Sequence, residues 1–303
     1  MNKEIMKRLE VWHDSPGKFV REALGVKHIE PWQLRTMMDV RNEDRVAVKS
    51  GHGVGKSALL AWVILWWLLT RFPAKVACTA PTSHQLDDVL WGEISKWFRR
   101  LPPGLKELLT VTSDKVFLNA APNESFAVAR TARKEKPEAF QGFHSENMLF
   151  IVDEASGVDP IIFEVGEGAM STEGAKTLLT GNPTRTSGYF YDAFNAMQKW
   201  WKTRTVKCMD SSQATDKYVQ QMADKWGSES NVFAVRVLGE FPKDDDDAVI
   251  NIAPYYDMGI DTKEIETQDE FGVQFSSQIS ERIVVNGKVG IPVGKINESR
   301  VAG

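Results

Sequence analysis

The sequence predicts an α/β fold, in which a mainly parallel β-sheet is flanked by helices and followed by a short C-terminal tail. Short runs rich in β-branched and apolar residues alternate with longer segments of helical character, as in sheets built from strand–helix units. The run at residues 148–152 is apolar throughout, which is typical of a strand buried on both faces of a parallel sheet. A glycine-rich turn at residues 50–57 joins another run to a long apolar helix.

The amino-terminal segment is predicted to be helical. Residues 1–30 carry apolar side chains at the spacing of an amphipathic helix. Pro31 interrupts this pattern, and a further helix is expected over residues 34–40. The other predicted elements are strands over residues 45–49, 75–79, 148–152 and 176–180, and helices over residues 58–69 and 83–99.

The composition is that of an ordered globular protein, since 42% of the 303 residues are hydrophobic and 26% are charged. The formal net charge is -4, so any contact with DNA has to come from local patches rather than from bulk attraction. The two cysteines, Cys78 and Cys208, lie far apart in the sequence and fit neither a disulfide framework nor a metal site.

No membrane-spanning or targeting segment is expected. The most apolar stretch, residues 58–69, is shorter than the roughly twenty residues that a spanning helix needs, which favours a buried core helix. The amino terminus is too charged for a signal peptide.

The glycine-rich turn has the sequence Ser-Gly-His-Gly-Val-Gly-Lys-Ser and lies between a predicted strand and a predicted helix, which is the context of a phosphate-binding loop. Lys56 is expected to reach the β- and γ-phosphates of ATP, and the hydroxyl of Ser57 is expected to bind Mg²⁺. Glycine usually stands where this chain has Ser50, but three glycines remain to turn backbone N–H groups inward. The residues expected to bind nucleotide are Ser50, Gly51, His52, Gly53, Val54, Gly55, Lys56 and Ser57.

Two adjacent carboxylates, Asp153 and Glu154, follow the apolar strand. Ligands of open α/β sheets bind at the carboxyl ends of the strands. An aspartate there can serve the Mg²⁺ ion, and the neighbouring glutamate can orient and deprotonate the water that attacks the γ-phosphate. The pair therefore indicates ATP hydrolysis rather than nucleotide binding alone.

The run at residues 176–180 ends in a small polar turn that includes Thr180 and Asn182. Either side chain could contact the γ-phosphate region and respond to its loss. The same residues also suit an ordinary Gly-Asn-Pro turn.

Taken in order, these motifs resemble the ATPase domain of the large terminase subunits of tailed bacteriophages. The resemblance covers roughly residues 15–243, and its combination of motifs is more specific than the phosphate loop alone. The matching stretches are Pro-Trp-Gln at 31–33, the glycine-rich turn at 50–57, Thr-Ala-Pro-Thr at 79–82, Gly-Phe-His at 142–144, the strand and acidic pair at 149–155, Thr-Gly-Asn-Pro at 180–183 and Leu-Gly-Glu-Phe-Pro at 238–242.

The resemblance implies a RecA-like P-loop core that hydrolyses ATP with Mg²⁺ and drives double-stranded DNA into a phage procapsid. Carried over by position, it assigns adenine recognition to Gln33, the metal to Asp153, the water to Glu154 and the coupling of hydrolysis to movement to Asn182. The implied partners are double-stranded DNA, the small terminase subunit and the portal protein. The implied assembly is a homo-oligomeric ring in the cytoplasm of the infected bacterium.

Some family members complete the site with an arginine from a neighbouring subunit, which stabilises the charge of the transition state. Arg130 and Arg133 are the candidates for this role in the present chain. The alternative for both is a basic surface loop.

The aspartate run at 244–247 predicts a boundary between an ATPase domain over residues 1–243 and an acidic linker and tail over residues 244–303. Full-length members of the family also carry a nuclease with clustered aspartates. The tail is expected to be too short for that domain, and its acids Asp257 and Asp261 are expected to be solvated.

Cations and aromatic residues alternate over residues 199–207. Such a patch could contact DNA phosphates and bases, but the alternation also describes a half-exposed strand.

Two other functions stay open beside the packaging motor. One is a helicase-like DNA-dependent ATPase, which would normally need a second core. The other is a truncated nucleotide-binding subunit without motor activity.

Overall fold

The computed structural model describes residues 3–131, 143–170 and 172–243, together with the backbones of residues 265–268 and 274–277. The chain divides into two compact units, Met1–Val249 and Ile250–Gly303. In the second unit, the described residues form one antiparallel pair of strands, in which Ile265 lies opposite Ser277. The predicted boundary at residues 243–244 stays a prediction. Asp257 and Asp261 lie outside the described residues.

An eight-stranded sheet forms the centre of the first unit, with the strand order β3-β4-β5-β2-β6-β7-β1-β8. Strands β5, β2, β6, β7, β1 and β8 pair in parallel, whereas β3 and β4 are antiparallel to their neighbours. The strands are β1 Arg45–Ser50, β2 Ala74–Thr79, β3 Leu109–Val111, β4 Lys115–Leu118, β5 Phe126–Ala129, β6 Asn147–Val152, β7 Lys176–Gly181 and β8 Lys202–Val206, and the second unit adds β9 Ile265–Gln268 and β10 Gln274–Ser277. The predicted α/β fold with a mainly parallel sheet is confirmed.

The helices of the first unit connect these strands. They are α1 Lys3–Asp14, α2 Pro16–Glu22, α3 Pro31–Asn42, α4 Lys56–Thr70, α5 Trp91–Phe98, α6 Pro103–Lys106, α7 Pro160–Ala169, α8 Tyr189–Phe194, α9 Asp216–Trp226 and α10 Asn231–Phe233. Two π-helical segments, Gln85–Leu90 and Ala234–Leu238, precede α5 and follow α10.

Helix α4 is apolar on all sides because it is covered on all sides. It packs on the sheet at β2 and against the helices α1, α2 and α5. The indole of Trp66, which is fully buried, donates a hydrogen bond of 2.7 Å to the carbonyl of Trp12 in α1. Among the described residues, no helix has both the length and the apolar character required to cross a bilayer.

Some predicted elements differ from the observed ones. The amino-terminal helix is interrupted at Ser15 and ends at Glu22. Pro31 does not precede the next helix but begins it, because the first turn of a helix needs no N–H donor at that position. The helix predicted over residues 83–99 is part π-helical. The short strands β3, β4 and β5 were not predicted, since runs of three or four residues are too brief to show a period.

The sheet topology brings three polar strand ends to one edge. Strand β7 lies between β6 and β1, with Leu179 opposite Val152 and Gly181 opposite Lys49. All three strands run in parallel, so the residues that follow them emerge together. Ser50, the Asp153–Glu154 pair and Asn182 therefore meet at the carboxyl edge of the sheet.

Candidate nucleotide-binding site

The glycine-rich turn adopts a conformation that only glycine readily allows. Gly53 and Gly55 have φ angles of 68° and 96°, in the left-handed region where a Cβ atom would be strained. Gly55 caps helix α4, which begins at Lys56. The turn thus presents backbone N–H groups and the positive end of the helix dipole to the same space, as an anion site requires.

The ammonium group of Lys56 is buried at the centre of the three strand ends. Its Nζ atom donates hydrogen bonds of 3.3 Å to Ser50 Oγ and 3.3 Å to Asn182 Oδ1, and it lies 3.5 Å from Glu154 Oε1. All of these interactions are long for charge-assisted hydrogen bonds. The lysine therefore has room to exchange them for shorter contacts with phosphate oxygens.

Asp153 is buried, and only one of its two carboxylate oxygens accepts hydrogen bonds from the described residues. Its Oδ1 atom accepts hydrogen bonds from Thr180 Oγ1 at 2.7 Å and from the N–H of Glu154 at 3.0 Å. Its Oδ2 atom accepts none from the same residues. Burial, and after it the charge of Glu154, raises the pKa of Asp153 well above its ordinary value, although Lys56 acts in the opposite direction.

Glu154 is held in a strained backbone conformation. Its φ angle is 48°, and no other residue apart from glycines has a positive φ in the described parts of the chain. Its Oε2 atom accepts a hydrogen bond of 3.2 Å from the N–H of Asn182. Gly181 lies directly behind it, where an added Cβ would come within 3.0 Å of the Ala155 nitrogen. The surrounding contacts impose this conformation and place the carboxylate beside the end of β7.

Asn182 connects the three strand ends. Its Nδ2 atom donates a hydrogen bond of 2.6 Å to the carbonyl of Ser50, while its Oδ1 accepts from Lys56. Together with the backbone contact to Glu154, these bonds link the phosphate loop to the acidic pair through one side chain. A displacement of either group is therefore transmitted to Asn182.

Gln33 lies on the other flank of the phosphate loop, in the first turn of α3. Its Nε2 atom donates a hydrogen bond of 3.1 Å to the carbonyl of Gly55, and its Oε1 accepts one of 3.1 Å from the N–H of Glu30. Only 1% of Gln33 is exposed. The amide thus anchors the helix to the phosphate loop.

A segment that sequence reasoning gave no role packs against the base of the phosphate loop. We name residues 236–240 the closing segment. The N–H of His52 donates a hydrogen bond of 2.8 Å to the carbonyl of Arg236. Lys49, which is buried, forms a salt bridge with Glu240. A Cβ on Gly239 would lie 2.8 Å from the nitrogen of Gly51. The only signal in the sequence was the Leu-Gly-Glu-Phe-Pro motif.

His52 adds no positive charge to the phosphate loop near neutral pH. Burial, followed by the charges of Lys56 and Arg236, lowers the pKa of His52 to about 4. Cys208 also contacts this loop, since its Sγ donates a hydrogen bond of 3.3 Å to the carbonyl of His52. Lys56 is therefore the cation that the loop itself offers to a nucleotide.

Arg130, one of the two candidate arginines, does not join this cluster within one chain. Arg130 is exposed, lies over the Phe143 ring at 5.2 Å and follows β5. Strand β5 is four strand positions from β1, a separation of about 19 Å across the sheet. Arg133 and Gly142 lie outside the described residues.

The residues at the strand ends fit a magnesium nucleotide. Ser57 is half-buried, and neither its hydroxyl nor Asp153 Oδ2 makes a hydrogen bond with the described residues. No group of three or more His, Cys, Asp or Glu side chains among the described residues could hold a metal ion. Mg²⁺ commonly takes one or two carboxylates together with substrate phosphates and water, so this donor set suits it.

The cation–aromatic patch at residues 199–207 includes the edge strand β8 and the short 3-10 turn before it. Trp201 is buried, whereas 56% of Trp200 is exposed. Arg204 forms a salt bridge with Asp39 of α3. Residues 202–206 thus form a half-exposed edge strand, and contact of this patch with DNA stays a prediction.

Asp153→Asn is expected to make the nucleotide-free protein more stable at pH 7.5, by on the order of 1 kcal/mol. The raised pKa of Asp153 means that folding favours the protonated carboxyl. This contribution to stability is present below the ordinary aspartate pKa of 3.8 and is lost as the pH rises toward the folded-state value. Asparagine is neutral and keeps an acceptor for Thr180.

Thermal denaturation of both proteins at pH 7.5 and pH 5 measures this effect. The melting temperature of the variant should exceed that of the wild type at pH 7.5, and the gap should narrow at pH 5. A variant that melts below the wild type at pH 7.5 would show that the ionised carboxylate stabilises the fold.

Comparison with known proteins identifies relatives of the chain, although no family model matches it. A curated relative from Enterobacteria phage P7, described as "Probable terminase, large subunit", is 28% identical over 228 residues, which are 71% of this chain and 46% of the relative. The chain thus spans about half the length of the curated relative it matches.

Solved structures show the same fold. The large terminase of bacteriophage HK97 aligns with a TM-score of 0.58 and 15% identity, over 80% of this chain and 56% of that one. The large terminase ATPase domain of Thermus phage P74-26 aligns with a TM-score of 0.57 and 15% identity, over 75% of this chain and 99% of that domain. The large terminase of a thermophilic bacteriophage in complex with ADP aligns with a TM-score of 0.58 and 11% identity, over 71% of this chain and 54% of that one. The resemblance of this chain to the large terminase subunits of bacteriophages, first indicated by its motifs, is therefore confirmed.

Proposed function

We propose that this chain hydrolyses ATP with Mg²⁺ and uses the energy to move double-stranded DNA into a phage procapsid, as the ATPase part of a large terminase subunit. The observation that carries the proposal is the cluster of Lys56, Glu154 and Asn182 at the carboxyl edge of the sheet, where Lys56 Nζ lies within 3.5 Å of an oxygen of each of the other two. The relationship to phage large terminase subunits supports the same function.

Lys56 and the N–H groups of the phosphate loop bind the β- and γ-phosphates in this proposal. Ser57 and Asp153 would hold Mg²⁺, and the ion would supply positive charge beside the phosphates. A bound cation would also relieve the buried charge of Asp153, whose pKa is raised in the nucleotide-free protein.

Glu154 acts as the general base. In the nucleotide-free protein its carboxylate faces Lys56 and the N–H of Asn182. Phosphate oxygens compete for Lys56 and so release Glu154 Oε1. That oxygen then accepts a proton from the attacking water, while the γ-phosphorus forms a bond to the water oxygen and its bond to the β–γ bridging oxygen breaks, which releases ADP and phosphate.

Asn182 couples the chemistry to movement. It contacts the phosphate loop at Ser50, the phosphate-binding group at Lys56 and the base at Glu154. Loss of the γ-phosphate changes the surroundings of Lys56, and Asn182 carries that change into strand β7. Its position between two functional elements makes it the residue best placed for this role.

The proposed partners follow from the relationship to large terminase subunits. They are double-stranded DNA, the small terminase subunit and the portal protein, with the chain acting as a homo-oligomeric ring in the cytoplasm of the infected bacterium. Residues 1–243 form the motor in this proposal.

An arginine from a neighbouring copy completes the site in this proposal, and Arg130 and Arg133 are the candidates. Arg130 suits the role because it is exposed and remote from the phosphate loop of its own chain.

Steady-state hydrolysis of ATP by the purified full chain tests the proposal, with and without double-stranded DNA. We expect Mg²⁺-dependent turnover that rises severalfold with DNA. A forked duplex in the same reaction should stay paired, since a packaging motor moves along DNA without separating its strands. ATP binding without turnover under any condition would contradict the proposal in favour of a nucleotide-binding subunit, and strand separation would contradict it in favour of a helicase.

A further inference from the structure

A second glutamine reaches the same glycine of the phosphate loop as Gln33. A Cβ placed on Gly55 would lie 2.9 Å from Nε2 of Gln33 and also 2.9 Å from Nε2 of Gln213. The Nε2 atoms of Gln33 and Gln213 therefore lie close together, because their separation cannot exceed the sum of these two distances. Gln213 is distant from Gly55 along the chain, and it belongs to none of the motifs described above.

The loop that carries Gln213 is fixed on both sides of the site. Ser211 Oγ donates a hydrogen bond of 3.2 Å to the carbonyl of Val54 in the phosphate loop. The N–H of Ser212 donates one of 2.8 Å to Glu30 Oε1, at the start of α3. Burial alone would raise the pKa of Glu30, but the hydrogen bonds from Ser212 hold it below its ordinary value, so the anchor is a carboxylate near neutral pH.

The two glutamine amides differ in their bonding. Gln33 is buried and already binds protein at both ends, since its Oε1 accepts from Glu30 and its Nε2 donates to Gly55. The Gln213 side chain is exposed and makes no hydrogen bond with the described residues, although its backbone N–H is held by Ser211 at 3.2 Å. Gln213 thus offers an available carboxamide on a fixed backbone, beside Gln33, whose expected part in adenine recognition stays a prediction.

We infer that Gln213 binds the base edge of the adenine nucleotide and contributes to the choice of ATP. A carboxamide pairs with adenine through an acceptor for the 6-amino group and a donor for N7. Guanine presents an oxygen in place of that amino group, so it cannot satisfy the same pair. The inference rests on the proposed function, because it assigns a residue to the nucleotide of the same site.

Calorimetric titration of the full chain with Mg²⁺ and ATP, GTP or inorganic tripolyphosphate tests this role. Gln213→Ala should raise the Kd for ATP about tenfold, as expected for the loss of one or two neutral hydrogen bonds. The Kd for tripolyphosphate should stay within about twofold, because that ligand has no base. The Kd for GTP should change less than that for ATP. The matched control is Gln220→Ala, an exposed glutamine of α9 that binds Asp224.

Any of three results with Gln213→Ala would overturn the inference alone: an unchanged Kd for ATP, an equal loss of affinity for ATP and tripolyphosphate, or an equal loss of affinity for ATP and GTP. Equal melting temperatures of Gln213→Ala and wild type without nucleotide would show that the variant folds. ATP binding that depends on Gln213 in a protein without turnover would support the inference while contradicting the proposed function. Failure of the wild type to bind ATP would overturn both.

Discussion

Replacement of Glu154 by glutamine is expected to lower the rate of ATP hydrolysis by about 100-fold or more, while the Kd for ATP changes by no more than about threefold. Glutamine keeps an oxygen that can accept the hydrogen bond from the N–H of Asn182, which is 3.2 Å from Glu154 Oε2. It has no basic carboxylate to take a proton from the attacking water. The variant should therefore bind ATP and retain it unhydrolysed.

Single-turnover hydrolysis and equilibrium binding of ATP separate these two effects. Glu164→Gln is the matched control, because Glu164 is an exposed glutamate of α7 and its replacement should leave both quantities unchanged. Turnover by Glu154→Gln at the wild-type rate would exclude Glu154 as the base. A parallel loss of binding would instead assign the carboxylate a role in holding the phosphate loop.

Replacement of Lys56 by alanine is expected to weaken ATP binding by about 100-fold, which corresponds to about 3 kcal/mol. The loss is large because charge-assisted hydrogen bonds to phosphate contribute more than neutral ones. Lys56 is also the cation within 3.5 Å of Glu154. Its removal should raise the pKa of Asp153 further, because Lys56 now favours the ionised form of that carboxyl.

Titration of the variant with ATP in the presence of Mg²⁺ measures the loss of binding. Lys18→Ala provides the control, since Lys18 is exposed on α2 and belongs to none of the elements that form the site. Wild-type affinity in Lys56→Ala would show that the glycine-rich turn does not receive the phosphates. Equal loss in both variants would point to a general effect of charge.

The central part of the fold could be predicted because local sequence determines it. The glycines at positions 53 and 55 specify left-handed backbone, and the apolar run before Asp153 specifies a buried strand. Parallel strands place their carboxyl ends at one edge, so the proximity of Lys56 and Glu154 follows from the order of the elements. The site roles assigned to these residues stay predictions until they are measured.

The supporting contacts could not be predicted in this way. Gln213 and the closing segment are distant from the phosphate loop along the chain, and no periodicity or spacing connects them with it. Their positions depend on how the chain returns to the sheet after β8, which is a tertiary property. The strained φ angle of Glu154 is likewise imposed by packing at the end of β7, since glutamate has no preference for left-handed backbone.

The closing segment has a mechanical consequence. Glu240 forms a salt bridge with Lys49, the penultimate residue of β1. Gly239 packs so closely against Ser50 and Gly51 that a side chain would not fit there. A pulling force applied to the chain beyond residue 243 would therefore reach the end of β1 through only a few residues, because no flexible loop lies between them to absorb it. A short stretch of tightly packed backbone thus connects residue 243 with Ser50 and Gly51 of the glycine-rich turn.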